Sequence, residues 1–333
     1  MKVVSSSTPP YYALIIVYSL LCNCGLTILY QTCHGFTLVT FDVDGTLVRS
    51  TGEKAEAGAH SRAFSHAVGN VLGNNQEIMP VAKALPNNKF QGSTDGLILL
   101  RLARATLDIE PSESFPKLEE MMDVMYQYIS ELQDEDIASG ISVLPGVIDV
   151  LSVLATRYRD SVACGLVTGN VEGIARRKMQ AVGVTATNAL APPSKEQLER
   201  RTWPGADHLG FLGGFGSDYC SGNIDDDDRN HLDRAEQIAI AVRRCQSMME
   251  DGGDGLLRVV HVGDAPADVL AAKAYSSVAP VGICVGMVGV ATGSYSVEQL
   301  EELAGQTVSG RWEPVILEKG MADPNFLSAC GIE

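Results

Sequence analysis

From position 35 onward, short apolar runs alternate with longer stretches in which apolar residues recur at helical spacing. Five runs read as strands: 36–43 (FTLVTFDV), 161–168 (SVACGLVT), 210–215 (GFLGGF), 256–262 (LLRVVHV) and 278–285 (VAPVGICV). Strands interleaved with amphipathic stretches predict an α/β domain with a mainly parallel sheet. Four of the runs end in a polar or glycine-rich turn, and the fifth meets Gly286 at once. Open sheets of this kind bind ligands outside the carboxyl ends of their strands, so the candidate chemistry is sought there.

The interval 52–141 is too long for a single crossover helix. Its segment 115–131 (FPKLEEMMDVMYQYISE) has helical periodicity. The pattern predicts a separate helical domain over 51–142, inserted into an α/β core of 35–50 and 143–310, with 311–333 as a C-terminal tail. Pro145-Gly146 opens a helix that returns to the core, with Val147, Val150, Leu151 and Leu154 on one face. Proline, glycine and charge accumulate over 184–215, which suggests an insertion at the edge of the core. The acid run 225–228 reads as a solvated loop, with a calcium site as the sharper alternative.

Residues 11–30 are largely apolar and uncharged, behind a short head containing Lys2. They look like a signal sequence or membrane anchor, and about 20 residues suffice to span a bilayer. Cys22-Asn23-Cys24 interrupts the run. A buried helix of the mature domain and a mistaken start codon are the alternatives. The segment 1–34 is therefore set apart from the fold. A membrane is a partner only through it, and the destination, whether the secretory route, an organelle such as a plastid or an anchored state, stays open.

With 45% hydrophobic and 20% charged residues among 333, the chain can bury a sizeable core. The 41 acidic residues against 25 basic ones give a formal charge of −16, which argues against a nucleic-acid partner. The eight cysteines form no C-x-x-C pair, so neither a disulfide framework nor a zinc site is expected; Cys164 and Cys284 read as small buried hydrophobes.

Three strand ends carry candidate chemistry. Asp42-Val43-Asp44-Gly45-Thr46 closes the first predicted strand, where carboxylates two positions apart can face one crevice while glycine permits the turn. Thr168-Gly169-Asn170 closes the second, with Asn170 placed to open a helix whose N-terminus favours an anion. Gly263-Asp264-Ala265-Pro266-Ala267-Asp268 closes the fourth. Each has an ordinary reading as a surface turn, a strand-to-helix turn or a helix cap. Their succession at strand ends is more specific than any one alone.

In this order the segments resemble the motifs of the haloacid dehalogenase superfamily over roughly 36–303. Gly289-Val290-Ala291-Thr292-Gly293 resembles the last core loop of its phosphoglycolate-phosphatase-like members. The resemblance implies a Rossmann-like parallel core with an all-helical cap, and a magnesium-dependent phosphatase that passes through an aspartyl-phosphate. Asp42 would be the nucleophile and Asp44 the general acid and base. Thr168, Gly45, Gly169 and Asn170 would bind the phosphoryl oxygens. Asp264 would ligate Mg2+ with Asp42 and the backbone carbonyl of Asp44, and Asp268 would steady the metal or its waters. The implied partner is a small phosphorylated metabolite, by default phosphoglycolate.

One motif departs from the family, which usually has a lysine before the fourth strand. None occurs between Lys195 and Lys273, whereas Arg229, Arg234, Arg243 and Arg244 are available. Arg234, expected at the head of a helix over 234–249, is chosen to neutralise the phosphoryl group or nucleophile, with Arg229 second. In the inserted domain the turn Gln91-Gly92-Ser93-Thr94-Asp95-Gly96 offers Thr94 to a substrate as the cap closes and excludes water. The alternatives are a phosphoglucomutase-like enzyme, which would keep all these motifs, and a catalytically idle binding protein. A dehalogenase would need Asp42 but not Asp44.

Overall fold

The computed structural model describes residues 35–51, 58–85, 92–184, 212–226, 229–249 and 255–332. The apolar segment 1–34, Gln91, most of the 184–215 insertion and Asp227 and Asp228 lie outside them. Eight strands run in chain order: β1 Phe36–Phe41, β2 Val48–Ser50, β3 Ile141–Val143, β4 Val162–Thr168, β5 Leu212–Phe215, β6 Leu256–Gly263, β7 Cys284–Val290 and β8 Trp312–Leu317. Six of them form one sheet in the order β5-β4-β1-β6-β7-β8, and every neighbouring pair is parallel. The longer helices are α1 Ala59–Val71, α2 Asp95–Leu107, α3 Leu118–Ser130, α4 Asp134–Ala138, α5 Val147–Thr156, α6 Glu172–Ala181, α7 Asn230–Met248, α8 Pro266–Val278 and α9 Val297–Ala304.

β1 is buried from Thr37 to Phe41 because helices cover both faces of the sheet. Val39 and Phe41 pack with Leu151 and Leu154 of α5 on one face. Leu38, of opposite parity, packs with Ile238 of α7 and Val269 of α8 on the other. The chain leaves β1 toward β4 and β5, then returns to β6 on β1's other side. This reversal opens a crevice at the carboxyl ends of β1, β4 and β6.

Helices α1 to α4 lie between β2 and β3, which form an antiparallel ribbon with Val48 opposite Val143 and Ser50 opposite Ile141. Phe64, Leu97, Leu100, Met121, Met125 and Ile129 make the interior of this cap, and Val171, Ile174 and Ile224 of the α/β part join the same cluster. Two arginines fasten it further. Arg101 of α2 donates to Ser93 Oγ at 2.7 Å and to the Ile224 carbonyl at 3.4 Å. Arg177 of α6 donates to Asp134 at 2.7 Å and to the Leu132 carbonyl at 3.0 Å.

Several sequence expectations need correction. Val278, taken as the start of a strand, is the last residue of α8; Pro280 stops the helix, Val281 is fully exposed, and the strand begins only at Cys284. Residues 311–333 are no tail: β8 pairs with β7 at the sheet edge, and Phe326 and Cys330 are buried in the core. Glu313 and Pro314 break the apolar pattern of that strand, and an edge tolerates both. The helix expected at 234 starts at Asn230, so Arg234 sits about one turn inside it. The 115–131 segment opens as a 3-10 turn over Phe115–Lys117, where Pro116 cannot donate, and becomes regular at Leu118. Cys164 is buried as expected, but Cys284 is only half-buried. Asp225 pairs with Arg104 of α2 at 2.6 Å. Among the described residues no helix is long and apolar enough to cross a membrane.

Candidate active site

Where the chain leaves β1, Gly45 adopts φ 90°, a left-handed turn that costs glycine little. A Cβ at Gly45 or at Gly293, in the loop after β7, would strike the Asp264 carboxylate, so both glycines clear the space around it. Thr46 Oγ1 donates to Asp264 Oδ1 at 3.2 Å, and Thr292 Oγ1 donates to the Gly45 carbonyl at 2.6 Å. These contacts bind the ends of β1, β6 and β7 into one floor.

On that floor Asp42, Asp264 and Asp268 gather, all buried, with a carboxylate oxygen of each within 4.8 Å of the others. Arg234 Nη1 donates to Asp42 Oδ1 at 2.9 Å and to Asp268 Oδ1 at 2.7 Å. His261 Nε2 lies 3.2 Å from Asp268 Oδ1, and its Nδ1 lies 3.0 Å from Thr40 Oγ1. Burial works against the charge on Asp268, but Arg234 and His261 outweigh it and hold its carboxyl below the usual range. Burial pushes Asp42 up to about 7; Arg234 pulls it down, and the charges of Asp268 and Asp44 push it up again. Asp264 rises to about 8 through burial and the negative charges of Asp268 and Asp42. Three buried hard oxygen donors with one shared guanidinium are short of positive charge, and the glycines leave room beside Asp264. The residues therefore fit a small divalent cation such as magnesium.

Asp44 faces elsewhere. Its carboxylate accepts from Lys178 Nζ at 2.8 and 3.0 Å and from Asn170 Nδ2 at 3.1 Å, and Lys178 Nζ also donates to Asn170 Oδ1 at 2.9 Å. Burial opposes its ionisation, yet the Lys178 ammonium, His60 and these hydrogen bonds win and hold it below the usual carboxylate range. The Asp44 side chain, 47% exposed, opens into the cavity rather than onto the carboxylate cluster. Only its backbone carbonyl is left for the metal role expected of it.

A cavity of about 640 Å³ lies between this floor and the cap, lined by Asp42, Asp44, Gly45, Thr168, Gly169, Asn170, Arg234 and Asp264. Asp268 stands behind Asp42 and Arg234. Arg229, the second choice for the cation, precedes α7 and does not line the cavity. Asn170 does not cap α6: that position is Val171, and the Asn170 side chain is engaged by Asp44 and Lys178. Thr94 does not reach the cavity either. Its hydroxyl caps α2, accepting from the Leu97 N–H at 3.4 Å, and its neighbours Gly92, Ser93 and Asp95 line the cavity instead. Asp95 Oδ2 accepts from the Val171 N–H at 2.8 Å and lies 3.1 Å from His60 Nε2, while the Asp95 N–H donates to the Gly169 carbonyl at 2.7 Å.

Lys178 is the residue that motif reading overlooked. Lys178 sits on α6, well before the interval from Lys195 to Lys273 in which the family pattern places its cation. Ile174 and Lys178 are spaced four apart on one face of α6, Asn170 stands the same interval before Ile174, just ahead of the helix, and all three line the cavity. That periodicity was the available signal.

No protein-family model matches the chain, and no curated protein matches it. Three of the solved structures to which the chain is similar are a hydrolase, a mutase and a dehalogenase. A haloacid dehalogenase-like family hydrolase from Streptococcus pneumoniae is 16% identical, over 84% of this chain and 93% of that one, with a TM-score of 0.36. A β-phosphoglucomutase from Clostridium difficile is 14% identical, over 88% and 96%, with a TM-score of 0.45. The L-2-haloacid dehalogenase from Xanthobacter autotrophicus, with chloropropionic acid covalently bound, is 13% identical, over 88% and 98%, with a TM-score of 0.36.

Proposed function

We propose that this protein is a magnesium-dependent phosphomonoesterase of the haloacid dehalogenase superfamily. The observation that carries the reading is the unlike treatment of two carboxylates two positions apart. Asp42 is gripped by Arg234 among buried acids, and Asp44 by Lys178 and Asn170, yet both line one cavity. Paired groups whose surroundings push them apart in acidity are suited to separate roles in one reaction.

In this reading Asp42 attacks phosphorus in line and the bond from phosphorus to the ester oxygen breaks. Lys178 is the source of the proton that the departing alkoxide takes through Asp44. Water then loses a proton to Asp44, which returns it to Lys178, and attacks the aspartyl-phosphate, releasing inorganic phosphate and restoring Asp42. Thr168 and the Gly169 turn face the phosphoryl oxygens, and Arg234 keeps the nucleophile oriented. Magnesium, held by Asp42 and Asp264 with Asp268 in support, would supply positive charge to those oxygens. A dehalogenase would leave the Asp44, Lys178 and Asn170 set without a task.

The test is phosphate release from small phosphomonoesters by protein lacking residues 1–34, with magnesium and with chelator. Turnover should need the metal and vanish in Asp42→Asn. An Asp42→Asn protein that still hydrolyses the ester would remove Asp42 as nucleophile.

A further inference from the structure

We infer that the ester accepted here carries an apolar organic group, of the size of a phenyl ring or short alkyl chain, rather than a sugar or a carboxylate. The inference rests on the phosphomonoesterase reading of the same cavity and extends it to the leaving group.

About 640 Å³ is far more than a phosphoryl group needs and falls within the roughly 300–1,000 Å³ of pockets for drug-sized ligands. The wall facing the catalytic floor is formed by Phe64, Val81, Ile98, Ile129 and Ile137 of the cap, with Ile174 of α6. Most polar side chains that the cap adds are already engaged. His60 and Asp95 face each other at 3.1 Å, Asp95 also holds the Val171 N–H, and Ser93 Oγ accepts from Arg101. Among the described residues that line the cavity, Ser61 and Ser139 of the cap and Ser50, Ser294 and Tyr295 of the α/β part carry further hydroxyls, but a sugar set against the six apolar side chains would leave its own hydroxyls unpaired there. The cations are committed as well: Lys178 to Asp44, and Arg234 to Asp42 and Asp268. Arg49, on β2, lines the cavity as well, but at its exposed rim, away from the buried floor. A substrate carboxylate would enter an apolar wall without a buried partner, whereas an alkyl or aryl group would be desolvated there at a gain.

The inference is tested by calorimetric binding of phosphonates, which cannot be hydrolysed, to the magnesium-loaded protein. From methyl- to butylphosphonate, binding should tighten about four-fold per methylene, the ratio given by ~0.8 kcal/mol per buried CH₂. Phenylphosphonate should bind more tightly than phosphonoacetate. A flat series, no binding, or preference for phosphonoacetate overturns the inference. Val81→Ser should flatten the chain-length dependence while the melting temperature shows the protein folded, and Ile137→Ser serves if that variant does not fold; an undiminished slope in the folded variant counts against the inference. Release of phosphate from the matching esters is measured alongside. Phosphonates that bind in the expected order while no ester is cleaved would uphold the apolar pocket and sink the hydrolase reading.

Discussion

Lys178 Nζ and Asp44 Oδ2 stand 2.8 Å apart although 134 positions separate them in the chain. The pair joins a helix after β4 to the turn after β1. Replacing Lys178 with Met removes the proposed proton source and the charge that keeps Asp44 ionised. Turnover should fall by about 10²-fold or more, the scale of a lost acid-base partner. Asp44 is half exposed, so the fold should survive, and circular dichroism with steady-state phosphate release checks both. Full activity in Lys178→Met would return the proton role to Asp44 alone.

Arg234 is the buried cation between Asp42 and Asp268. Arg234→Met leaves two buried acids without it, which should cost about 3–5 kcal/mol in metal-free urea denaturation. Adding Asp268→Asn to that variant should recover part of the loss. Two independent, additive losses would show that the guanidinium does not act through Asp268.

Acidity gives a third expectation. Asp42 at about 7 and Asp264 at about 8 exceed the ordinary 3.8, so the folded metal-free protein binds more protons than the unfolded chain between those values. Stability from these groups is lost as pH rises from about 4 to 8. Asp44 and Asp268, held low, act oppositely: their contribution is present above the ordinary value and fades as pH falls below it. Magnesium must displace the protons on Asp42 and Asp264 and then relieves their repulsion. Its effect on melting temperature should therefore be larger at pH 8 than at pH 5, and Asp264→Asn should shrink it. A magnesium shift equal at both pH values would argue against binding at this cluster.

Asp95 joins the cap to the start of α6 by accepting from the Val171 N–H. Asp95→Ala orphans that buried donor and should cost about 1–3 kcal/mol, whereas Asp95→Asn keeps an acceptor and should cost less. Equal melting temperatures for the two variants would show that the acceptor oxygen is not what matters.

The floor of the site was legible because its residues lie where apolar runs stop: Thr168 ends β4, and Asp42 and Asp264 directly follow β1 and β6. Arg234 could be chosen from the lack of a lysine nearby, though not its place one turn inside α7. The cap contacts were hidden for a physical reason. Thr94 and Asp95 are both polar residues in one turn, and only tertiary packing decides that the threonine caps its helix while the carboxylate faces His60 and Val171. Edge strand β8 was missed because solvent accepts Glu313 and Pro314 there, which erases the pattern that marks interior strands. Val278 misled in the opposite sense, as an exposed valine at a helix end that local sequence cannot tell from a strand.

The ribbon of β2 and β3 brings Ser50 beside Ile141, so the chain departs for the cap and comes back through adjacent rungs. In connectivity the cap is a detachable module: a tight turn could join the two rungs and leave the sheet order untouched. In packing it is not detachable. Val171, Ile174 and Ile224 belong to the α/β part but are buried with the cap's own side chains, and excision would leave them facing water. A minimal version of this protein would need polar replacements at those three positions before the sheet could stand alone.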